Sequence, residues 1–367
     1  MSDKTAKKQL FLPLWALVLW GIALLSLVIY LAAVVSPAFA AFFQRYVAGA
    51  VRFFLAAVTS PLPFSLAEIL LYLSPLLLVF IGVLAFKKHS GSWRALARFS
   101  LSVLSLFSLF FSLFVFSFGT GYHTESLDKR LGLVKTEVTV EELRETARIL
   151  VEKTAEAAGN VEFGEDGFSV MPYDFEGLSD ELLFSFAALS DEVDFLQCFE
   201  SRPKPVLASK AMSYTHITGV YSYYTGEANV NVYFPDYALA FTAAHEMAHQ
   251  RGIAREDEAN FIAFLVTTTA SDSYLRYAGY LNMLEYVGNA LFAVDREAYR
   301  EIFGALPEAV KGELRAYADF FRQFSDSAAS KVSNAVNDTY LKVNGEENGT
   351  ASYGLVVDLA VAYYRGG

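Results

Sequence analysis

The chain has 367 residues, enough for two or three domains, and its 54% apolar content and positive mean hydropathy are high for a soluble protein. A net charge of −11 argues against nucleic acid as a partner, because a phosphate backbone needs a basic surface. The one cysteine, Cys198, excludes an intrachain disulfide and a Cys-based zinc site, and it reads as a small buried hydrophobe.

Residues 10–35 carry no charge and are long enough to cross about 30 Å of hydrocarbon as a helix. Two further spans are expected at 64–86 and 99–118. Glu68 is placed near the outer end of the second, within reach of water. Lys4, Lys7 and Lys8 precede the first span, and Lys87, Lys88, Arg94 and Arg98 lie between the second and third. Basic loops stay in the cytoplasm, so the N-terminus is expected inside and everything after Gly119 outside the cytoplasmic membrane. Residues 38–59 carry Arg45 and Arg52 seven apart among phenylalanines, which predicts an amphipathic helix lying on the outer leaflet in preference to a fourth span, which would put the Lys87 to Arg98 cluster outside. Ala38-Phe39-Ala40 resembles a signal-peptidase site, but the apolar run before it is too long and two more spans follow, so an uncleaved anchor is expected. Residues 1–120 thus form a membrane domain in contact with the lipid bilayer, and 121–367 an extracytoplasmic domain.

In that domain an amphipathic helix is expected from Thr139 and another over 178–199 with Ser179 as N-cap. Residues 217–224 and 228–234, joined by a turn at Thr225-Gly226, read as a strand pair. Helices then dominate, including 307–324 and 353–364, with a polar turn over 344–350. The fold class is α+β, mostly α: three spans followed by a zincin-like domain with a small sheet.

The chemistry is concentrated in HEMAHQRGIAREDEAN, residues 245–260. On a helix, His245 and His249 share one face a turn apart and can hold one Zn²⁺. Glu246 sits beside them, where this motif places the general base that takes a proton from the metal-activated water. Gly252 can end the helix and return the chain, bringing Glu256 in as third ligand, with Asp257 and Glu258 as competitors. Asn260, one turn past Glu256, is a candidate to hydrogen-bond a ligand histidine. Glu227 and Asn229, on the strand pair, are candidates for a substrate groove. Tyr277 or Tyr280 is a candidate for stabilising the transition state, set against ordinary aromatic packing. His123 and His216 have no partner at metal spacing and read as structural or surface residues.

Glu256-Asp257-Glu258-Ala259-Asn260 resembles the ExxA(D/N) element that follows HExxH in gluzincin-type metallopeptidases, where the leading Glu is the third zinc ligand. TGEANVN (225–231), AHEMAHQRGIAREDEANFIAFL (244–265), LRYAGYLNML (275–284) and the segment 336–364 resemble a bacterial family of uncharacterised multipass membrane proteins, domain of unknown function 3810. The resemblance implies one zinc ion per chain and a peptidase-like domain, with no known substrate. The expected function is a membrane-anchored zinc metallopeptidase acting on a peptide or protein of the envelope or a secreted one. The alternative is a non-hydrolytic, metal-stabilised envelope protein that binds a partner or assists assembly.

Overall fold

The structure, a computed structural model, describes residues 11–89, 91–324, 327–344 and 354–365. Lys4, Lys7 and Lys8 and the turn expected after Asn344 lie outside them. Helix α1 (Leu14–Val35) is followed by α2 (Pro37–Phe43), a π-helical turn (Gln44–Ala48) and α3 (Gly49–Thr59), then by α4 (Leu66–His89) and α5 (Trp93–Ser117). After a 3₁₀ turn (Gly119–His123) come α6 (Leu127–Arg130), α7 (Val140–Ala158), the hairpin β1 (Glu162–Phe163) and β2 (Ser169–Val170), and α8 (Phe175–Glu192). Strand β3 (Lys204–Pro205), α9 (Ser209–Ser213), β4 (Gly219–Ser222) and β5 (Glu227–Val230) lead into α10 (Asp236–Gln250) and α11 (Glu256–Thr268). The chain ends in α12 (Ser273–Val294), α13 (Arg296–Gly304), α14 (Glu308–Arg322), α15 (Ala328–Val343) and α16 (Leu355–Arg365).

Among the described residues four stretches, one more than expected, are long and apolar enough to cross a membrane: Leu14–Val35, Pro37–Thr59, Leu66–Lys87 and Trp93–Ser117. The second is the one expected to lie on the leaflet. Its two arginines do not share a face: Arg45 is exposed, whereas Arg52 is buried and donates to Ser117 O (2.7 Å) and Gln197 Oε1 (2.6 Å). The π turn that contains Arg45 explains the difference, because wider i→i+5 bonding disrupts the helical register that a spacing of seven assumes. Arg52 therefore ties the helix to protein instead of to lipid headgroups.

Local sequence explains most element boundaries. Thr139 and Glu142 form a reciprocal capping box at the start of α7. Helix α8 begins earlier than expected because Asp174 caps it, while Ser179 bonds back to Phe175 O (2.7 Å). The sheet has the order β3-β5-β4, with β4 antiparallel to β5 and β3 parallel to it. Lys204-Pro205 forms the edge strand β3, a position that tolerates a proline lacking an N–H. Helices α10, α11 and α12 pack on one another and α10 covers the sheet. The small buried side chains Ala240, Ala243, Ala244 and Ala248 allow that close approach, and Met247 points into the packing. Cys198 is exposed, contrary to the expectation of a buried hydrophobe.

The membrane helices and the sheet are joined by buried polar bonds, so the boundary expected at residue 120 is a tight junction. Glu227 accepts from Leu66 N (3.0 Å) and Ala67 N (2.9 Å), satisfying amides at the start of α4. In return Glu68 accepts from Leu207 N and Ala208 N (both 2.9 Å), just before α9. Glu68 is thus buried by protein and not open to water as expected. Lys204 donates to Ser60 O and Leu62 O, and Thr59 Oγ1 to Thr225 O (3.2 Å).

Candidate metal centre

Helix α10 presents His245, Glu246 and His249. Its last turn closes at Gly252, whose φ of +103° is a left-handed conformation that side-chain-bearing residues rarely adopt. The chain then reverses, and Glu256 opens α11 facing the two imidazoles. Glu256 Oε2 lies 3.2 Å from His245 Nε2, and its Oε1 lies 3.5 Å from His249 Nε2. The rings of His245 and His249 are perpendicular, with centroids 4.6 Å apart. One donor atom from each of the three residues falls within 4.8 Å of the others.

This donor set fits zinc. Two imidazoles and one carboxylate are ligands it favours, and one donor atom from each lies within 4.8 Å of the others. His249 Nδ1 is 2.7 Å from Ile253 O. A proton on Nδ1 then leaves Nε2 as the atom free to ligate. The Ile253 carbonyl does what was expected of Asn260, which makes no hydrogen bond to either histidine among the described residues; its buried Nδ2 has no partner. Glu258, the alternative third ligand, is turned away: it accepts from Leu127 N (2.8 Å) and Arg255 Nη1 (2.7 Å).

The electrostatics are those of a tightly coupled cluster before any metal enters. Burial alone would lower the His249 pKa, but the Glu256 and Glu246 carboxylates outweigh it and raise it to about 9. Burial opposes ionisation of Glu256 too, yet the two imidazoles hold its pKa well below the usual carboxylate range. Glu246 is different: burial dominates and pushes it up to about 7, partly offset by the neighbouring histidines. It accepts a hydrogen bond from Tyr221 N, and its buried Oε2 has no partner. Gly219 makes this proximity possible, since a Cβ there would lie 2.5 Å from Glu246 Cγ.

The cluster lines a cavity of about 1680 Å³. Strand β4 forms one wall. Asn231 N donates to Thr218 O (2.8 Å), so 218–231 is a hydrogen-bonded pair, and by alternation Gly219 and Tyr221 turn their backbone groups to the open edge beside Glu246. Asn229 also lines the cavity, bracing β4 through Nδ2 to Val220 O (3.0 Å). Glu227 does not: its carboxylate is committed to α4.

Tyr277 and Tyr280 are absent from the cavity wall. Tyr277 is bonded to the buried Glu313, and Tyr280 packs on Phe264. The wall instead takes Asn282, Glu285, Tyr286 and Asn289 from α12. Burial raises Tyr286, with Glu285 and Glu256 adding to the effect. Their i, i+3, i+4, i+7 spacing in an otherwise apolar helix was a readable signal that sequence reasoning missed. His216 reaches the wall too, with Nε2 2.8 Å from Phe324 O.

These features define a mostly helical membrane protein with a His-His-Glu group, buried at His249 and half-buried at His245 and Glu256, that could hold a metal ion. The chain belongs to the family described as "Protein of unknown function (DUF3810)", whose model matches residues 43–361. Neither a curated protein nor a solved structure matches it.

Proposed function

We propose that the chain is a membrane-anchored, zinc-dependent, gluzincin-like metallopeptidase that hydrolyses peptide bonds of an envelope or secreted substrate. The observation that carries this reading is the convergence of His245, His249 and Glu256 next to a fourth buried group, Glu246, whose Oε2 is unengaged. A metal held only for folding has no use for that carboxylate. When Pro37–Thr59 stays in the interface without crossing, the basic segments before α1 and between α4 and α5 share the cytoplasmic side, and three crossings put the site outside the cytoplasmic membrane.

Zinc, when bound by the three donors, supplies Lewis-acid polarisation of the scissile carbonyl and of water. The chain's own groups do the rest. Gly219 and the Tyr221 carbonyl face outward and offer an edge on which an extended peptide can align, while Tyr221 N is engaged by Glu246. Glu246 takes a proton from water as its oxygen attacks the carbonyl carbon. It then delivers that proton to the amide nitrogen as the C–N bond breaks, releasing a carboxylic acid and an amine, which exchange the remaining proton to become carboxylate and ammonium.

The test is metal analysis of the purified full-length chain in detergent beside His245→Ala. About one zinc per chain, lost in the variant, is expected for a site of this geometry. A folded, metal-free wild-type protein would overturn the reading and favour the non-hydrolytic alternative.

A further inference from the structure

The cavity that holds the histidines is not confined to the part of the protein beyond the spans. Its wall continues onto α4 through Ala67, Leu71 and Tyr72. Leu71 and Tyr72 lie five and six residues into that helix, about 8 Å along its axis at 1.5 Å per residue. No residue of the apolar window of α4 is buried, so this wall is bare protein surface on a candidate span. The start of α4 is held to the sheet by the Glu227 and Glu68 bonds, which fixes its position relative to the site.

A second, independent set of contacts gives the same direction. Strand β4 ends at Ser222, and the next two residues pack on α5: Tyr223 on Phe114 (centroids 5.3 Å apart) and Tyr224 on Phe110 (5.6 Å). Phe110 lies seven residues inside the end of α5, about 10 Å along the helix. Tyrosines at that level are typical of the membrane–water interface. Phe118, the residue after α5, is itself in edge contact with His249, with centroids 5.7 Å apart. The edge strand therefore runs from the site towards the bilayer, and the metal group sits at the span's end.

From this geometry we infer that the substrate is a polypeptide anchored in the same bilayer, cut in the extended segment next to its own membrane span. The inference rests on the peptidase reading and names its substrate class. A segment lying on β4 has one end beside Thr218 and the other beside α4 and α5, where an apolar span continues into lipid. The bare Leu71–Tyr72 wall receives the residues that join segment to span.

The test uses the full-length, zinc-loaded chain in nanodiscs with a polyleucine span of about 20 residues. That span carries a randomised linker of about ten residues, and a second version has a Gly/Ser spacer of about 20 residues between span and linker. Mass spectrometry of the products is expected to show cuts beside the span in the first version and at least about tenfold fewer cuts in the displaced linker of the second, although tethering keeps both at high local concentration. Equal cutting of both linkers, or of the free linker in solution, overturns the inference. A readout independent of hydrolysis places a cysteine at Leu71→Cys in a Glu246→Gln, Cys198→Ser background, opposite a cysteine next to the probe's span. Disulfide formation is expected there and not at Val79→Cys, deeper on α4 and outside the cavity wall. No cross-link, or equal cross-linking at both positions, overturns the inference. Cross-linking at Leu71→Cys without cleavage by the wild type leaves the docking inference standing and removes the peptidase reading instead.

Discussion

The buried carboxylates at the junction are bonded, whereas several polar atoms of the cavity are not, although Arg52 Nε and Thr225 Oγ1 at the junction are also without a partner among the described residues. At the junction between the spans and the sheet, Glu68 and Glu227 each bind two backbone amides, and nearby Glu258 binds an amide and Arg255. In the cavity, His245 Nδ1, Glu246 Oε2 and Asn260 Nδ2 are buried without a partner. Each unmet group costs about 1–3 kcal/mol. The contrast separates carboxylates that hold the fold from polar atoms kept available for something that enters the site.

The largest expected effect comes from the cavity. Glu246→Gln keeps the metal and the fold but lowers kcat about 10²–10⁴-fold, the range for loss of a general base; unchanged turnover would sink the mechanism. At the junction, the sign of the effect moves from activity to stability. Glu227→Ala strands two buried amides and is expected to cost about 3 kcal/mol, read as a lowered unfolding midpoint in detergent, since bonds to a charged acceptor are worth roughly 1.5–3 kcal/mol each. If its stability matched the wild type, the distinction between the two regions would be lost.

The pH dependence of metal uptake is the next test. His249 is raised from 6.5 to about 9 in the metal-free chain, so below that value zinc must displace its proton. Affinity is expected to rise with pH, up to about tenfold per unit (~1.4 kcal/mol), and to level off above pH 9; chelator competition measures it. For metal-free stability the sign is reversed. A raised histidine contributes fully below pH 6.5, and that contribution is lost as pH rises through about 9. The smallest expected effect is on stability in Asn260→Ala. Removing an amide whose buried Nδ2 makes no bond relieves that cost and is expected to raise stability by about 1 kcal/mol, seen as a higher unfolding midpoint, opposite in sign to the Glu227→Ala drop.

Much of the site was legible because it is local. The four-residue spacing of His245 and His249 puts both on one helical face, Gly252 permits the reversal, and Glu256 opens the next helix. None of these needs knowledge of distant residues. Glu258 was the open competitor because sequence spacing leaves both acids near the turn. Its engagement with Leu127 N is a long-range fact. The α12 wall was missed for another reason: its polar stripe was readable, but which helical face meets the cavity is decided by packing against α10 and α11.

The sequence by itself determined the apolar stretches, the helix caps at Thr139 and Gly252, the strand pair before the HExxH helix and the metal-ligand candidates. Each depends on interactions within a few residues, where side-chain type and backbone periodicity suffice. Tertiary structure decided the rest. It turned Arg52 into the protein, exchanged Glu68 and Glu227 across the junction, and laid β4 against the end of α5. Those outcomes depend on which buried donors and acceptors meet across 65 to 161 residues of chain, and no local pattern encodes that pairing.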